Sequence, residues 1–325
     1  MHKFPFICMV AALGLLPGSV IHGSSQVVGW GFDASGEATG TAASPTNQMA
    51  SGVVRLAGEG LTNIVGIAAG YEQSLALSKD GTVIGWGRND CGQATGRKGG
   101  QNGIVTINGV VLSNVIAISS GFLHSLALLN NGTVAAWGNQ ATVPEGLSNV
   151  VAISAGWDHS LALKKDGTVV SWPIQLREGM SNIVAIGASS IMNGEDVVAK
   201  ADGTLIMCNN GPGGSRSIKG ISNVVAVAVG SHVLALTREG TVFEIDCPPV
   251  ENRRSDVAWL HEGLTNVVAI AAGRSRCLAL RGDGTVVVVF GEGFPSFLNP
   301  PGDLKNVIGI AAGGMFCLAL EKEGP

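Results

Sequence analysis

The stretch GLSNVVAISAGWDHSLALKKDGTVVSW, residues 146–172, decides the architecture, because the chain holds several versions of it. VLSNVIAISSGFLHSLALLNNGTVAAW precedes it at 111–137, and GLTNVVAIAAGRSRCLALRGDGTVVVV at 263–289 and DLKNVIGIAAGGMFCLALEKEGP at 303–325 follow. Aligned on their opening residues, copies begin at Leu61, Leu112, Leu147, Met180, Ile221, Leu264 and Leu304, with spacings of 51, 35, 33, 41, 43 and 40 residues. Self-similarity at this period marks a solenoid or a propeller.

Each copy divides into three extended pieces. NVVAISAG alternates small and large residues, HSLAL is short and apolar, and TVVSW follows an Asp-Gly; none has helical period. Asp80-Gly81, Asn131-Gly132, Asp166-Gly167, Asp202-Gly203 and Asp283-Gly284, with Glu239-Gly240 as a variant, predict two-residue hairpin turns with positive backbone angles. The second and third pieces are then antiparallel neighbours. An asparagine stands before the first piece in every copy (Asn63, Asn114, Asn149, Asn182, Asn223, Asn266, Asn306). Seven equivalents argue against catalysis and for a side chain that bonds nearby backbone to close the turn. Gly70, Gly121, Gly156, Gly230, Gly273 and Gly313 end the first piece, where a side chain would be crowded or the backbone angle forbidden.

Linkers between copies, the shortest being Asn139 to Gly146, leave room for a fourth edge strand. A sheet of three or four strands cannot bury both faces alone, so it stacks on its neighbours, and radial stacking closes the set. The last copy lacks the TVxxWG piece, which QVVGWG at 26–31 supplies. The sequence therefore predicts an all-β, seven-bladed β-propeller closed by pairing of N- and C-terminal segments, Val27–Trp30 against Cys317–Leu320. Such closure leaves no exposed edge there to seed aggregation.

The bulk properties agree with a β-rich globular domain: 325 residues, 46% hydrophobic, 14% charged and 48 glycines. A net charge of −4 gives no field to gather a polyanion, so no nucleic acid is expected as a partner. MHKFPFICMVAALGLLPGSV has one lysine, an apolar stretch from Phe4 to Leu16 and then small residues. That is the layout of a secretory signal peptide over 1–23, which leaves a single domain at 24–325 in a secreted, periplasmic or cell-surface location. No later segment reads as transmembrane, so no membrane insertion follows removal of the leader. Five cysteines would remain, Cys91, Cys208, Cys247, Cys277 and Cys317, without metal-ligand spacing; a Cys208–Cys247 bridge is one option.

WGFDASGEATG (30–40), WGRNDCGQATG (86–96) and the phrase AGxxHSLALxxDGTVxxWG resemble the regulator of chromosome condensation repeats. VPEGLSNVVAISAGWDHSLAL is similar to the form found in their secreted bacterial relatives. The resemblance implies a seven-bladed propeller. The eukaryotic founder of the family is a guanine-nucleotide exchange factor that binds chromatin, and the leader and acidic balance argue against both roles here. A bacterial β-lactamase inhibitory protein of the same repeat type covers an enzyme with one propeller face, which suits an exported chain better. Copy four departs from the pattern, with Ser189 at the glycine position and three extra residues before its turn.

No HExxH, phosphate-binding loop or nucleophile elbow occurs, and the carboxylates sit mainly in turns. His124 and His159 read as satisfied strand histidines, and Glu195-Asp196 as a solvated loop tip. No catalytic residue, metal site or cofactor is expected. The residues after each strand-ending glycine vary while the frame holds, and in a ring they fall on one face. Tyr71, Glu72, Phe122, Trp157, Asp158, Arg274 and Phe316 form the candidate binding face. Aromatic and Arg side chains exposed together are usual interface anchors; the other reading is that these rings pack between blades. The expected function is an exported, non-enzymatic binding protein whose partner is a protein, with inhibition of an extracellular enzyme as its sharpest form, and the chain is expected to be a monomer. A propeller lyase or hydrolase using the central channel and a structural surface module are the alternatives.

Overall fold

The computed structural model describes residues 25–44, 46–139, 141–173, 180–192, 194–208, 214–218, 220–245, 258–290 and 299–322. The expected leader and Cys247 lie outside them. No helix long and apolar enough to cross a membrane occurs among the described residues. Every larger element is a strand, and the strands form seven antiparallel sheets of three or four, one per repeat, plus two small hairpins.

Blade one comprises Ile64–Ala69, Gln73–Ser78, Val83–Gly87 and Gly103–Ile104. Blade two has Val115–Ser120, His124–Leu129 and Val134–Gly138, and blade three has Val150–Ala155, Ser160–Lys164 and Val169–Trp172. Blade four is Ile183–Gly187, Asp196–Lys200, Leu205–Cys208 and Arg216–Ile218; blade five is Val224–Val229, Val233–Thr237, Val242–Ile245 and Ala258–Leu260. Blade six holds Val267–Ala272, Cys277–Arg281 and Val286–Phe290. Blade seven joins the two ends of the described chain: Val307–Ala312 and Phe316–Lys322 are completed by Ser25–Phe32 and Met49–Val53. Its register sets Val27 opposite Leu320 and Trp30 opposite Cys317, the pairing expected from the sequence.

The first strand of each blade touches that of the next, and blade seven touches blade one, so the sheets make a closed circle. Alternating side chains on each sheet face meet those of the neighbouring blade, giving seven apolar clusters, one at each junction. A fully buried Leu or Ile contributes about 2 kcal/mol, and Ile67, Leu75, Ile118, Leu126, Ile153 and Leu161 are all fully buried. Trp30 and Trp86, at the ends of third strands, are also shut away from solvent. The free thiols of Cys277 and Cys317 fill small buried slots, and burial pushes both up to about 12. Cys208 is a free thiol as well, lying 3.7 Å from the Met180 sulfur.

Three local devices differ from the sequence reading. The hairpins are three-residue loops: Ser78 N–H donates to Thr82 O and Gly81 N–H to Ser78 O, and only the glycines have positive φ. Asp80 needs no left-handed backbone because its carboxylate accepts the Thr82 N–H at 2.9 Å, as Asn131 and Asp166 do for Thr133 and Thr168. The recurrent asparagines act through their backbone. All seven have φ between 48° and 60°, a conformation asparagine tolerates better than most residues. In blades one to six the asparagine carbonyl accepts an N–H from its own blade's hairpin, as Asn149 does from Lys165 at 2.8 Å, and in blade seven Asn306 accepts that of Lys322 at the end of the second strand.

The strand-ending glycines answer to crowding and not to backbone angle. A Cβ on Gly70, Gly121, Gly156, Gly230, Gly273 or Gly313 would stand within 2.7 Å of a carbonyl oxygen of the next blade. This closeness permits a ring of hydrogen bonds. The residue after each glycine donates its N–H to that carbonyl: Tyr71 to Gly121, Phe122 to Gly156, Trp157 to Ser189, Ser231 to Gly273, Arg274 to Gly313 and Gly314 to Gly70, at 2.8–3.1 Å. Among the described residues the junction from blade four to blade five makes no such bond. There Ser189 replaces the glycine.

Candidate functional site

The ring bonds hold the residue after each of the six glycines, and with Ser190, which follows Ser189, seven positions surround one mouth of the central channel: Tyr71, Phe122, Trp157, Ser190, Ser231, Arg274 and Gly314. The channel is a cavity of about 90 Å3 walled by small residues such as Ala68, Ser119, Ala271 and Ala311. Side chains from four blades converge over its mouth. Phe122 and Trp157 stack with centroids 3.7 Å apart and planes 11° from parallel. Tyr71 meets both edge-on, at 4.7 Å from Phe122 and 5.8 Å from Trp157. Arg274 lies over the Tyr71 ring at 5.5 Å and donates from Nη1 to its hydroxyl at 2.8 Å. The two edge-on contacts of Tyr71 add about 1 kcal/mol each beyond area burial. The three rings remain only half-buried and Arg274 is exposed, so the cluster is a rigid surface feature rather than core.

The other candidates lie apart. Glu72 turns outward, and its carboxylate holds Arg88 Nη1 at 2.7 Å. Asp158 is an exposed rim carboxylate 3.3 Å from His159 Nδ1. Phe316 is 1% exposed and packs between blades seven and one. It begins its strand as His124 does in blade two, so its ring points into a blade junction and is removed from the exposed face.

Beneath the cluster runs a buried polar layer. His124 Nε2 lies 2.9 Å from Ser160 Oγ in the next blade, and His159 Nε2 lies 2.7 Å from Asp196 Oδ1, again one blade on. Burial holds His124 down to about 4. Burial also opposes the charged form of His159, but its bonds to Asp196 and Asp158 outweigh that and raise its pKa. Asp196 also accepts the Ser189 N–H at 2.9 Å. The Glu195-Asp196 pair is therefore no solvated loop tip: Asp196 is buried, and Glu195 binds Arg216 at 2.9 Å with both side chains largely covered. Counting six residues back from each Asp-Gly or Asn-Gly turn, which reaches Ser125, Ser160 and Asp196, is the signal that would have found it. Among the described residues no group of His, Cys, Asp and Glu has the geometry to hold a metal ion.

Residues 64–93, 115–141 and 150–172, the first strands through the third in blades one to three, match the regulator of chromosome condensation repeat. Three of the seven blades are thus similar to that repeat. A kinase and NEDD4-like E3 ubiquitin-protein ligase of Dictyostelium discoideum is 37% identical over 86 residues, which are 24% of this chain and 5% of that protein. The chain thus spans a small fraction of that curated relative. Among solved structures, human WBSCR16 superposes with a TM-score of 0.67 at 21% identity, covering 92% of this chain and all of that one. Prp20p of Saccharomyces cerevisiae gives 0.70 at 18% identity, covering 94% of this chain and 93% of its own. At such identities the likeness is one of fold.

Proposed function

We propose that this chain is a non-enzymatic binding protein, exported and monomeric, that docks a partner protein on the channel-mouth face. The observation that carries this reading is the convergence of Tyr71, Phe122, Trp157 and Arg274, from four blades, into one half-exposed aromatic cluster. Aromatic residues and arginine dominate the energetics of protein interfaces. Here they are held by a closed backbone ring, so little ordering entropy is lost on contact. The related fold of Prp20p was described together with its binding to Gsp1p and histones, which supports protein binding as a use of this architecture. Inhibition of an extracellular enzyme is the sharpest form of the reading, and its support is the repeat resemblance.

The test is affinity capture from the extracellular or periplasmic fraction of the source organism, with the wild-type chain and a Phe122→Ala/Trp157→Ala variant compared side by side. Loss of the captured protein in the variant, with an unchanged circular dichroism spectrum, is the expected result. Identical captured proteins would remove the face from consideration.

A further inference from the structure

Phe122 lines the channel on one side and, on another, a second cavity of about 180 Å3 between blades two and three. That volume suits one side chain and is below the range of drug-sized ligand pockets. Its walls include three aromatic rings, Phe122, Trp157 and Trp172. Among the described residues its charge is one-sided. Asp158 stands on the rim with its side chain 58% exposed, and His159 is held between Asp158 and the buried Asp196. Two carboxylates thus share at most one imidazolium, which leaves an excess of negative charge in either protonation state of His159. Buried His124 is neutral near pH 7 and does not offset it. None of the described lining residues is lysine or arginine.

The channel-mouth side of the same cluster shows what such a surface accepts. Tyr71 has its cation already, in Arg274 over its ring. Trp157, stacked on Phe122 on one side, and Trp172 line the cavity with a carboxylate beside them and, among the described residues, no cationic side chain. A cation over an aromatic face gains from the ring quadrupole, most of all over tryptophan, and a neighbouring carboxylate adds charge-assisted hydrogen bonds.

We infer that this cavity receives a single cationic side chain, arginine or lysine, from the docked partner. The inference rests on the reading of this face as a docking surface, and it adds what the partner must present: a basic residue projecting beside an apolar patch that covers the Phe122–Trp157 stack.

The probes are N-acetyl-arginine methylamide, N-acetyl-lysine methylamide and, as lysine's four-carbon chain without its ammonium, N-acetyl-norleucine methylamide. Each is titrated into the whole protein while the indole N–H resonances of Trp157 and Trp172 are followed, assigned through Trp→Phe variants. The cationic probes are expected to shift both resonances saturably, the norleucine probe to bind at least about fivefold more weakly, and Asp158→Asn to weaken the cationic probes by about fivefold with an unchanged circular dichroism spectrum. Equal binding of the norleucine probe, no response at either indole, or an Asp158→Asn variant that binds like wild type would overturn the inference. If Phe122→Ala/Trp157→Ala loses its captured partner while the cationic probes fail to bind, the docking face stands and the cationic occupant falls. If the probes bind while capture is unaffected, the docking face falls and the cavity's preference stands.

Discussion

Arg274 of blade six reaches the Tyr71 hydroxyl of blade one, 2.8 Å from Nη1, by passing over blade seven. It can do so because blade seven presents Gly314 at this height, packed so tightly that a Cβ would collide with the Tyr71 carbonyl. The absence of a side chain at one ring position thus allows two others, 203 residues apart in sequence, to lock the mouth of the channel. The contact ties the sixth blade to the first across the junction where the circle closes.

That relationship is measurable as a coupling energy. Arg274 is exposed, so Arg274→Ala and Tyr71→Phe are each expected to cost no more than about 1 kcal/mol. A double-mutant cycle read by urea denaturation should give a coupling of about 0.5–1 kcal/mol, that of the hydrogen bond alone, because Tyr71→Phe keeps the ring under the guanidinium. Additive effects would show that the two side chains are neighbours without being partners.

The ring glycines make a steeper prediction. In Gly273→Ala the new methyl meets the Gly313 carbonyl, and relief of that clash breaks the Arg274 N–H bond to the same oxygen. A cost of about 2–4 kcal/mol is expected from overpacking together with a lost buried hydrogen bond. Gly60→Ala is the control, since nothing lies within 4 Å of its Cβ position, and it should be neutral or stabilising by up to about 1 kcal/mol. The urea midpoints of the two variants, measured together, check both; a Gly273→Ala protein as stable as Gly60→Ala would mean that the ring yields easily.

Much of this architecture was legible in the sequence because a repeated unit turns equal positions into equal places. Trp30 and Cys317 could be paired from the missing third strand alone, and Tyr71, Phe122 and Trp157 could be brought together from their shared place after a glycine. Phe316 misled because it lies two residues further along, where the chain has turned inward as a strand. Asp196 was hidden by the insertion in copy four, which carries a carboxylate from an apparent loop into the slot that serine fills in blades two and three. The side of the mouth on which the cluster sits was also beyond the pattern, since it depends on Ser190, Ser231 and Gly314 leaving the rest of the circle open.

A buried acid gives a prediction in pH. Glu37 is 1% exposed, one carboxylate oxygen has no hydrogen-bond partner, and burial with the nearby charges of Asp33 and Glu72 raises its pKa to about 7. Between its ordinary value of 4.5 and about 7 the folded chain holds a proton that the unfolded chain has released, so stability falls as pH rises through that window and levels off above it. The full penalty is about 3 kcal/mol. The next repeat has Gln93 at the same place, where its amide oxygen accepts the Cys91 N–H as the Glu37 carboxylate accepts that of Ser35. Glu37→Gln should therefore unfold at higher urea than wild type above about pH 7 and show little difference near pH 4. A constant difference at both would place the origin in packing instead of ionisation.

The sign is opposite at His159. Its folded pKa is raised, because the bonds to Asp196 and Asp158 outweigh burial, so its contribution is fully present below the ordinary histidine value of 6.5 and is lost as pH rises through the folded value. Asp196→Asn keeps the shape of the acceptor and removes the charge that holds the proton on the ring. With the opposing charge gone, burial pulls the imidazole toward neutrality, and the loss falls where the ring was charged. The substitution is expected to cost about 2 kcal/mol more near pH 5.5 than near pH 9, as for one partner removed from a buried ion pair that keeps a hydrogen bond. Urea unfolding at the two values reads this difference, and the imidazole Cε1–H resonance of His159 reports its protonation independently. An equal cost at both, with that resonance in its neutral position throughout, would show that Asp196 serves His159 only as a hydrogen-bond acceptor.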